Sequence, residues 1–339
     1  MRVDHPVDAQ SGQLDCRAEA ARAEAAGYDG LWLSEIAHDP FLGLALAATA
    51  TERMDLGTGI AVAFARNPMS TATLANDLQA LSGGRIILGL GTQVKAHVTR
   101  RFAMPWGQPR ARLREYVLAL RAIWTSWHTG APLQFEGDFY THTLMPPLFV
   151  PPPHPYGAPP VYLAAVGEAM TETVGEVADG FLVHGFTTDR YLREVSLPAL
   201  RRGRELAGET MEGFTVSGIP MLATGSTEEE LAGAVEDMRG RIAFYASTPA
   251  YRAVLELHGW GPLGDELHAM TREGRWEEMG GLVDDDVLHT FAVVGEPAQV
   301  GAELLRRYGD MVTRMTLHCP PEAAEQVLDV LRADAPAAR

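Results

Sequence analysis

Short apolar runs and helical stretches alternate about eight times along this chain, and that alternation constrains its fold most. The segment 55–93 shows the pattern best. Leu56-Gly57-Thr58-Gly59-Ile60-Ala61-Val62 is a short apolar run suited to a strand buried on both faces. Asn67-Pro68 opens a helix, because Asn caps orphan amides and Pro suits the first turn. Ser82-Gly83-Gly84 stops it, and Arg85-Ile86-Ile87-Leu88-Gly89-Leu90-Gly91-Thr92 makes the next strand. In a parallel α/β protein the chemistry sits where strands end and loops begin, so the segment marks both a fold and a place to search.

The same reading extends along the chain. A helix is expected over Leu14–Ala26, a strand over Gly30–Glu35 and a helix over Pro40–Arg53. Arg110–His128 is amphipathic, with Leu113, Val117, Leu120 and Trp124 along one stripe. Phe135–Tyr140 has hairpin character, and the Pro-rich stretch Met145–Pro160 reads as a surface loop. Strands follow at 160–167, 180–185, 214–223 (interrupted by Pro220) and 314–318, with helices at 168–178, 189–206, 227–244 and 322–332. Residues 245–290 read as less regular, with short helical pieces and many polar residues.

A closed eight-fold barrel typically takes ~250 residues, more with insertions. The 339 residues therefore fit a single (β/α)8 TIM barrel domain over 1–339, with insertions near 131–160 and 245–290. An open doubly wound sheet would show Gly-x-Gly-x-x-Gly at a strand-to-helix turn. Gly89-Leu90-Gly91 continues as Thr92-Gln93-Val94, so that fingerprint fails. The barrel's weak point is its first strand, since Arg2–Val7 contains Asp4 and Pro6.

A net charge of −16 argues against a general binder of nucleic acid or anionic membrane. No run is long and apolar enough for a membrane span, and the N-terminus lacks a signal peptide's apolar core. Cys16 and Cys319 lie in no metal-type spacing and form no framework of bridges, so no metal and a reducing cytoplasm are expected. Lys95 is the only lysine in the chain. It falls just after the 88–92 strand, where an anionic cofactor group could lie. A solvated loop lysine is the plain alternative.

Several of these motifs are familiar. Ala26-Gly27-Tyr28-Asp29-Gly30-Leu31-Trp32-Leu33-Ser34-Glu35 resembles the second-strand region of the bacterial luciferase-like superfamily. Leu56–Ile60, Asn67-Pro68, Leu81–Arg85, Leu88–Thr92, Pro160–Gly167 and Ala178–Phe181 match it in order and spacing. Phe244-Tyr245-Ala246-Ser247-Thr248-Pro249 resembles a subgroup usually assigned to the deazaflavin coenzyme F420. The resemblance implies an isoalloxazine-like ring at the C-terminal ends of the strands. It also implies a homodimer through barrel helices. Superfamily members use FMN or F420.

The resemblance turns strand ends into candidate site residues. Gly59-Ile60 aligns with a bulge, built on a non-proline cis peptide, that backs the ring; without it Gly59 is an ordinary close-packing glycine. Gly91, Thr92, Gln93 and His97 should approach the ring and ribityl chain, Gly for close backbone and the others for hydrogen bonds. Ala165-Val166-Gly167 opens a helix whose free amides make a phosphate seat, although Glu168 and Glu172 are awkward neighbours. His184-Gly185 ends a strand inside the expected pocket. Glu35 stands at the mouth of the second strand, with a buried polar anchor as its simpler reading. In sugar-phosphate dehydrogenases resembling this chain, a histidine follows that acid and a glutamate lies after the fourth strand. Here those places hold Ile36 and Val94, and His38 sits two residues further on. Tyr245, Ser247 and Arg252 fall in the segment that would cover the mouth, where Arg252 could meet a phosphate or an acidic substrate.

The expected function is that of an F420-dependent oxidoreductase passing a hydride between the deazaflavin C5 and a small organic substrate. Loss of the acid/base pair favours reduction of C=C or C=N, with His97, His184 or Tyr245 as proton donor. The alternatives are an FMN-dependent monooxygenase served by a partner flavin reductase, and a cofactor carrier without turnover.

Overall fold

The computed structural model describes residues 1–7 and 15–333. Eight parallel strands close on themselves: Arg2–Pro6, Gly30–Leu33, Asp55–Thr58, Ile86–Gly91, Val161–Ala165, Gly180–Val183, Thr215–Gly218 and Arg314–Thr316. The first pairs with the eighth as well as the second, so no edge of the sheet is left open. The first strand forms despite Asp4 because that carboxylate is buried on Arg314 and Trp32 inside the barrel.

Alternation along the strands sorts residues to two sides. Leu31, Leu33, Leu56, Leu88, Leu90, Leu163, Phe181 and Met315 pack outward against helical residues such as Leu44, Ala72 and Leu120. Trp32, Ile87, Tyr162 and Leu182 form a separate cluster inside the barrel. Two strand glycines make room for its rings. A Cβ on Gly57 would overlap the Trp32 indole, and one on Gly180 would overlap Tyr162. Below this plug, at the N-terminal end, Asp4 takes Arg314 Nε at 2.5 Å and Trp32 Nε1 at 2.8 Å.

The helices begin and stop where local chemistry directs. Asp39 and Asn67 accept the Phe41 and Met69 amides at 2.9 and 2.8 Å, each ahead of a proline in the first turn. Gly83 ends the 68–82 helix in the left-handed conformation, and Thr227 with Glu230 forms a capping box. The stripe Leu113, Val117, Leu120 and Trp124 is buried on the helix Pro109–Thr129. The second helix stops at Ala48, short of Arg53, and the first is described over Cys16–Ala25, Leu14 lying outside the described residues. The hairpin expected at 135–140 pairs Phe135–Glu136 with Thr141–His142.

The interruption expected in 214–223 falls at Ile219-Pro220, but the second piece is not part of the same strand: Met221–Thr224 leaves the barrel to pair with Ala292–Gly295. Proline has no amide for the ladder, which is where the chain turns away. The short helical pieces expected in 245–290 form as Arg252–Leu257, Gly261–Glu273 and Asp285–Phe291. These pack with Glu228–Ala246 into a second apolar cluster that includes Phe186 and Met221. Among the described residues no helix is long and apolar enough to cross a membrane.

Candidate functional site

All eight strands point their C-terminal ends the same way, so Glu35, Gly59, Gly91, Ala165 and His184 surround one mouth. Trp32 forms its floor beside the third strand. A Cβ on Gly59 would stand 3.4 Å from the indole, an ordinary contact, so the glycine is not demanded by packing below it. The Gly59–Ile60 peptide bond is cis. Ser34 Oγ donates to the Gly59 carbonyl at 2.8 Å, and the Gly59 amide donates to Leu33 O at 2.8 Å. The Ile60 side chain lies over Gly91, where a Cβ would meet it at 3.0 Å.

Glu35 serves that wall from behind. Its Oε2 accepts the Val62 amide at 2.7 Å and Arg66 Nη1 at 2.5 Å, and the carboxylate side chain is only 7% exposed. Arg66 also reaches Asp39 at 2.7 Å. The structure therefore favours the anchor reading of Glu35 over direct contact with a cofactor.

After the fourth strand the chain turns sharply. Gln93 adopts φ +60° and folds its own Oε1 onto the Val94 amide at 2.8 Å, while Thr92 Oγ1 donates to Gln93 O at 3.1 Å. Lys95 and His97 are exposed, and His97 opens a single π-helical turn, His97–Arg101. Arg101 donates to the Ile36 carbonyl, which joins this loop to the one after the second strand. Ile36 and Val94 are 56% and 37% exposed, so these two rim positions, where the resemblance places an acid/base pair, are apolar. His38 is exposed on the same loop.

On the opposite wall, Gly167 caps the helix Glu168–Val177, with no side chain on its first amides among the described residues. Nothing lies within 4 Å of the point a Gly167 Cβ would occupy. The acids that made this an awkward anion seat are engaged elsewhere. Arg202 bonds Glu168 at 2.5 Å and Glu172 at 3.3 Å, and Arg110 bonds Glu172 at 3.0 Å. Tyr191 donates to the Val166 carbonyl at 3.3 Å, which fixes the turn, and Ala165 is buried beneath it.

His184 and Gly185 follow the sixth strand, and His184 continues the inward register of Gly180 and Leu182. Its Nδ1 accepts the Phe186 amide at 3.0 Å, and its Nε2 lies 3.2 Å from the Tyr251 hydroxyl. Burial holds the imidazole down at about 4, so it is neutral at pH 7. Tyr245 stands edge-on to His184 at 5.1 Å and Tyr251 stacks on it at 4.7 Å. Tyr251 was missed from the sequence, where no spacing links position 251 to 184. Ser247 turns back to its own helix, donating to Phe244 O at 2.7 Å. Arg252 is held by Asp265 and, at 2.7 Å, by Glu256, so it pairs on the outside of the cover and not with a ligand in the mouth.

The glycine wall, open amides and neutral hydrogen-bonding groups fit a flat ring with an anionic tail. Among the described residues, the acids beside these walls are paired with arginines, Glu35 with Arg66 and Glu168 with Arg202.

A family model described as luciferase-like monooxygenase matches residues 4–314. An uncharacterized protein of Mycobacterium tuberculosis (strain ATCC 25618 / H37Rv) is 55% identical over 304 residues, 89% of each chain. An F420-dependent glucose-6-phosphate dehydrogenase of Intrasporangium calvum is 27% identical, covering 96% of this chain and 94% of that one. Among solved structures, the coenzyme F420-dependent tetrahydromethanopterin reductase of Methanopyrus kandleri superposes with a TM-score of 0.77. It has 22% identity, with 97% of this chain and 96% of that one covered.

Proposed function

The chain belongs to the luciferase-like monooxygenase family, and from that premise we propose that it is an F420-dependent oxidoreductase acting on a small organic substrate. Reduction of a C=C or C=N bond is the direction the site supports. The observation that carries the direction is the rim. Exposed Ile36 and Val94 stand where the resemblance places the acid/base pair of sugar-phosphate dehydrogenases. Apolar side chains there neither take a proton from an alcohol nor bind a sugar phosphate.

When bound, F420 supplies two-electron hydride chemistry at C5. The protein's part is to position and shield. In this reading the Gly59-Ile60 bulge, pinned by Ser34, backs the ring, and Gly91, Thr92 and Gln93 edge it. The amides after Ala165-Val166-Gly167 take the phosphate, with Gly185 leaving room beside them. His97 lies towards the ring and ribityl chain, and Lys95 towards a phosphate or an acidic tail. His184 and Tyr245 line the substrate side. The chain is taken as one luciferase-like barrel domain working as a homodimer in a reducing cytoplasm, and sedimentation at micromolar concentration checks the dimer.

A second reading rests on the family's own description as monooxygenases: FMN as cofactor, a partner flavin reductase and oxygen as oxidant. Titration with oxidised F420 and, separately, FMN decides between them. Trp32 beneath Gly57 and Gly59 provides the fluorescence signal. Micromolar or tighter quenching by F420, with little by FMN, is expected. The reverse preference, with oxygen uptake in the presence of reduced FMN, overturns the F420 reading.

A further inference from the structure

We propose that Tyr251 is the proton donor of the reduction described above, and that His184 is the positioning residue that aims its hydroxyl. The inference rests on that functional reading and adds a residue to it.

The hydrogen bonds settle which way the protons point. A neutral imidazole carries one N–H. His184 Nδ1 accepts the Phe186 amide at 3.0 Å, so the ring proton sits on Nε2. Nε2–H then donates to the Tyr251 oxygen across 3.2 Å. Because that oxygen is the acceptor, the phenol's own proton is directed away from His184. Three rings hold the phenol in place: His184 stacked at 27°, Tyr245 edge-on at 72°, and Phe186 tilted at 5.7 Å. His184 belongs to the inward register of the sixth strand, so this assembly stands at the barrel mouth and not on the outer surface.

Protonation states agree with the geometry. Burial, reinforced by Tyr245, pushes the Tyr251 phenol up to about 12, and it keeps its proton at pH 7. Burial keeps His184 neutral, so it cannot compete as an acid. In the step itself, hydride from the reduced deazaflavin adds its two electrons to one end of the substrate C=C or C=N. The π pair moves to the other end and takes the proton from Tyr251 Oη. The products are the saturated compound, oxidised cofactor and a Tyr251 phenolate. His184 Nε2–H stabilises that phenolate until solvent returns the proton.

The test compares wild type, Tyr251→Phe and His184→Gln in F420 binding and in turnover. Turnover uses reduced F420 with cyclohex-2-enone and with 1-pyrroline, in H2O and D2O. Tyr251→Phe is expected to bind F420 within about two-fold of wild type and to lose about 100-fold or more in kcat, the usual worth of a general acid. The solvent isotope effect should change with it. His184→Gln, whose carboxamide can still donate, should lose about ten-fold in kcat with F420 affinity kept. A Tyr251→Phe enzyme within about three-fold of wild type overturns the proposal while the cofactor reading stands. Wild type that binds F420 but reduces neither probe sinks the reduction reading and Tyr251's role with it. Failure to bind F420 sinks the cofactor reading first. Independently of activity, 15N NMR should find His184 Nε2 protonated and Nδ1 bare, and the opposite tautomer overturns the proposal.

Discussion

Burial of His184 ties one residue of the mouth to the acid stability of the whole chain. Its folded value, about 4, lies below the ~6.5 of an unfolded histidine. As pH falls, the unfolded chain takes up the proton first. The stability from keeping this ring neutral is therefore complete above pH 6.5 and is lost as pH falls towards 4. The loss is on the order of 2–3 kcal/mol. Urea unfolding at pH 7, 5.5 and 4 should show a flatter decline in His184→Gln; parallel declines would move the acid lability to His142 or His258, which burial also lowers. Lys95 makes a second residue-scale test. Lys95→Ala should weaken F420 binding and flatten its salt dependence, whereas identical salt curves return it to the solvated surface. The family resemblance singled out Gly59, which strand register alone leaves as an ordinary packing glycine, whereas His184 stood out by its place at a strand end. Tyr251 was not legible, because its bond to His184 spans 67 positions and exists only once the cover folds over the mouth. Glu35 showed its acid but not Arg66, the partner that makes it an anchor.

Two helices illustrate how an element can be readable while its packing is not. The sequence marks helices near 168–178 and 189–206, and both form, the second with a π-helical turn at Leu192–Ser196 before Leu197–Leu206. Nothing in either run announces that they cross through facing glycines. A Cβ on Gly203 would overlap the Glu172 carbonyl, and one on Gly175 would overlap the Leu200 carbonyl. Gly203→Ala should therefore cost about 1–3 kcal/mol in urea unfolding, as overpacking does. Gly167, at the start of the same first helix, has open space and φ −79°. Gly167→Ala should leave stability within about 0.5 kcal/mol of wild type while weakening F420 binding. Unchanged affinity in that variant would remove the phosphate from this helix end. In 214–223 the break at Pro220 was legible, but the new pairing beyond it was hidden in the same way as the crossing. Met221–Thr224 finds its partner at Ala292–Gly295, some seventy residues on, and local propensity carries no trace of that pairing.

For the molecule as a whole, the repeat of strand and helix made the barrel legible, but repetition alone does not say what shuts it. Closure falls to Arg314 on the eighth strand. Its guanidinium reaches Asp4 on the first strand at 2.5 Å and Asp55 on the third at 2.7 Å. It also reaches the Asp29 carbonyl, next to the second strand, at 3.4 Å. Asp4 binds Trp32 too, so the clasp continues into the aromatic plug that floors the mouth. The partners lie 310 positions apart, which is why Asp4 read as a defect in the first strand and not as half of a lock. Buried ion pairs gain little over well-packed apolar groups, yet removing one partner strands the other's charge. Arg314→Met should thus cost about 3–5 kcal/mol, and adding Asp4→Asn should return part of it by withdrawing a stranded carboxylate. Urea unfolding of the two variants reads both terms. A single variant within about 1 kcal/mol of wild type would mean that backbone pairing of the first and eighth strands closes the barrel unaided.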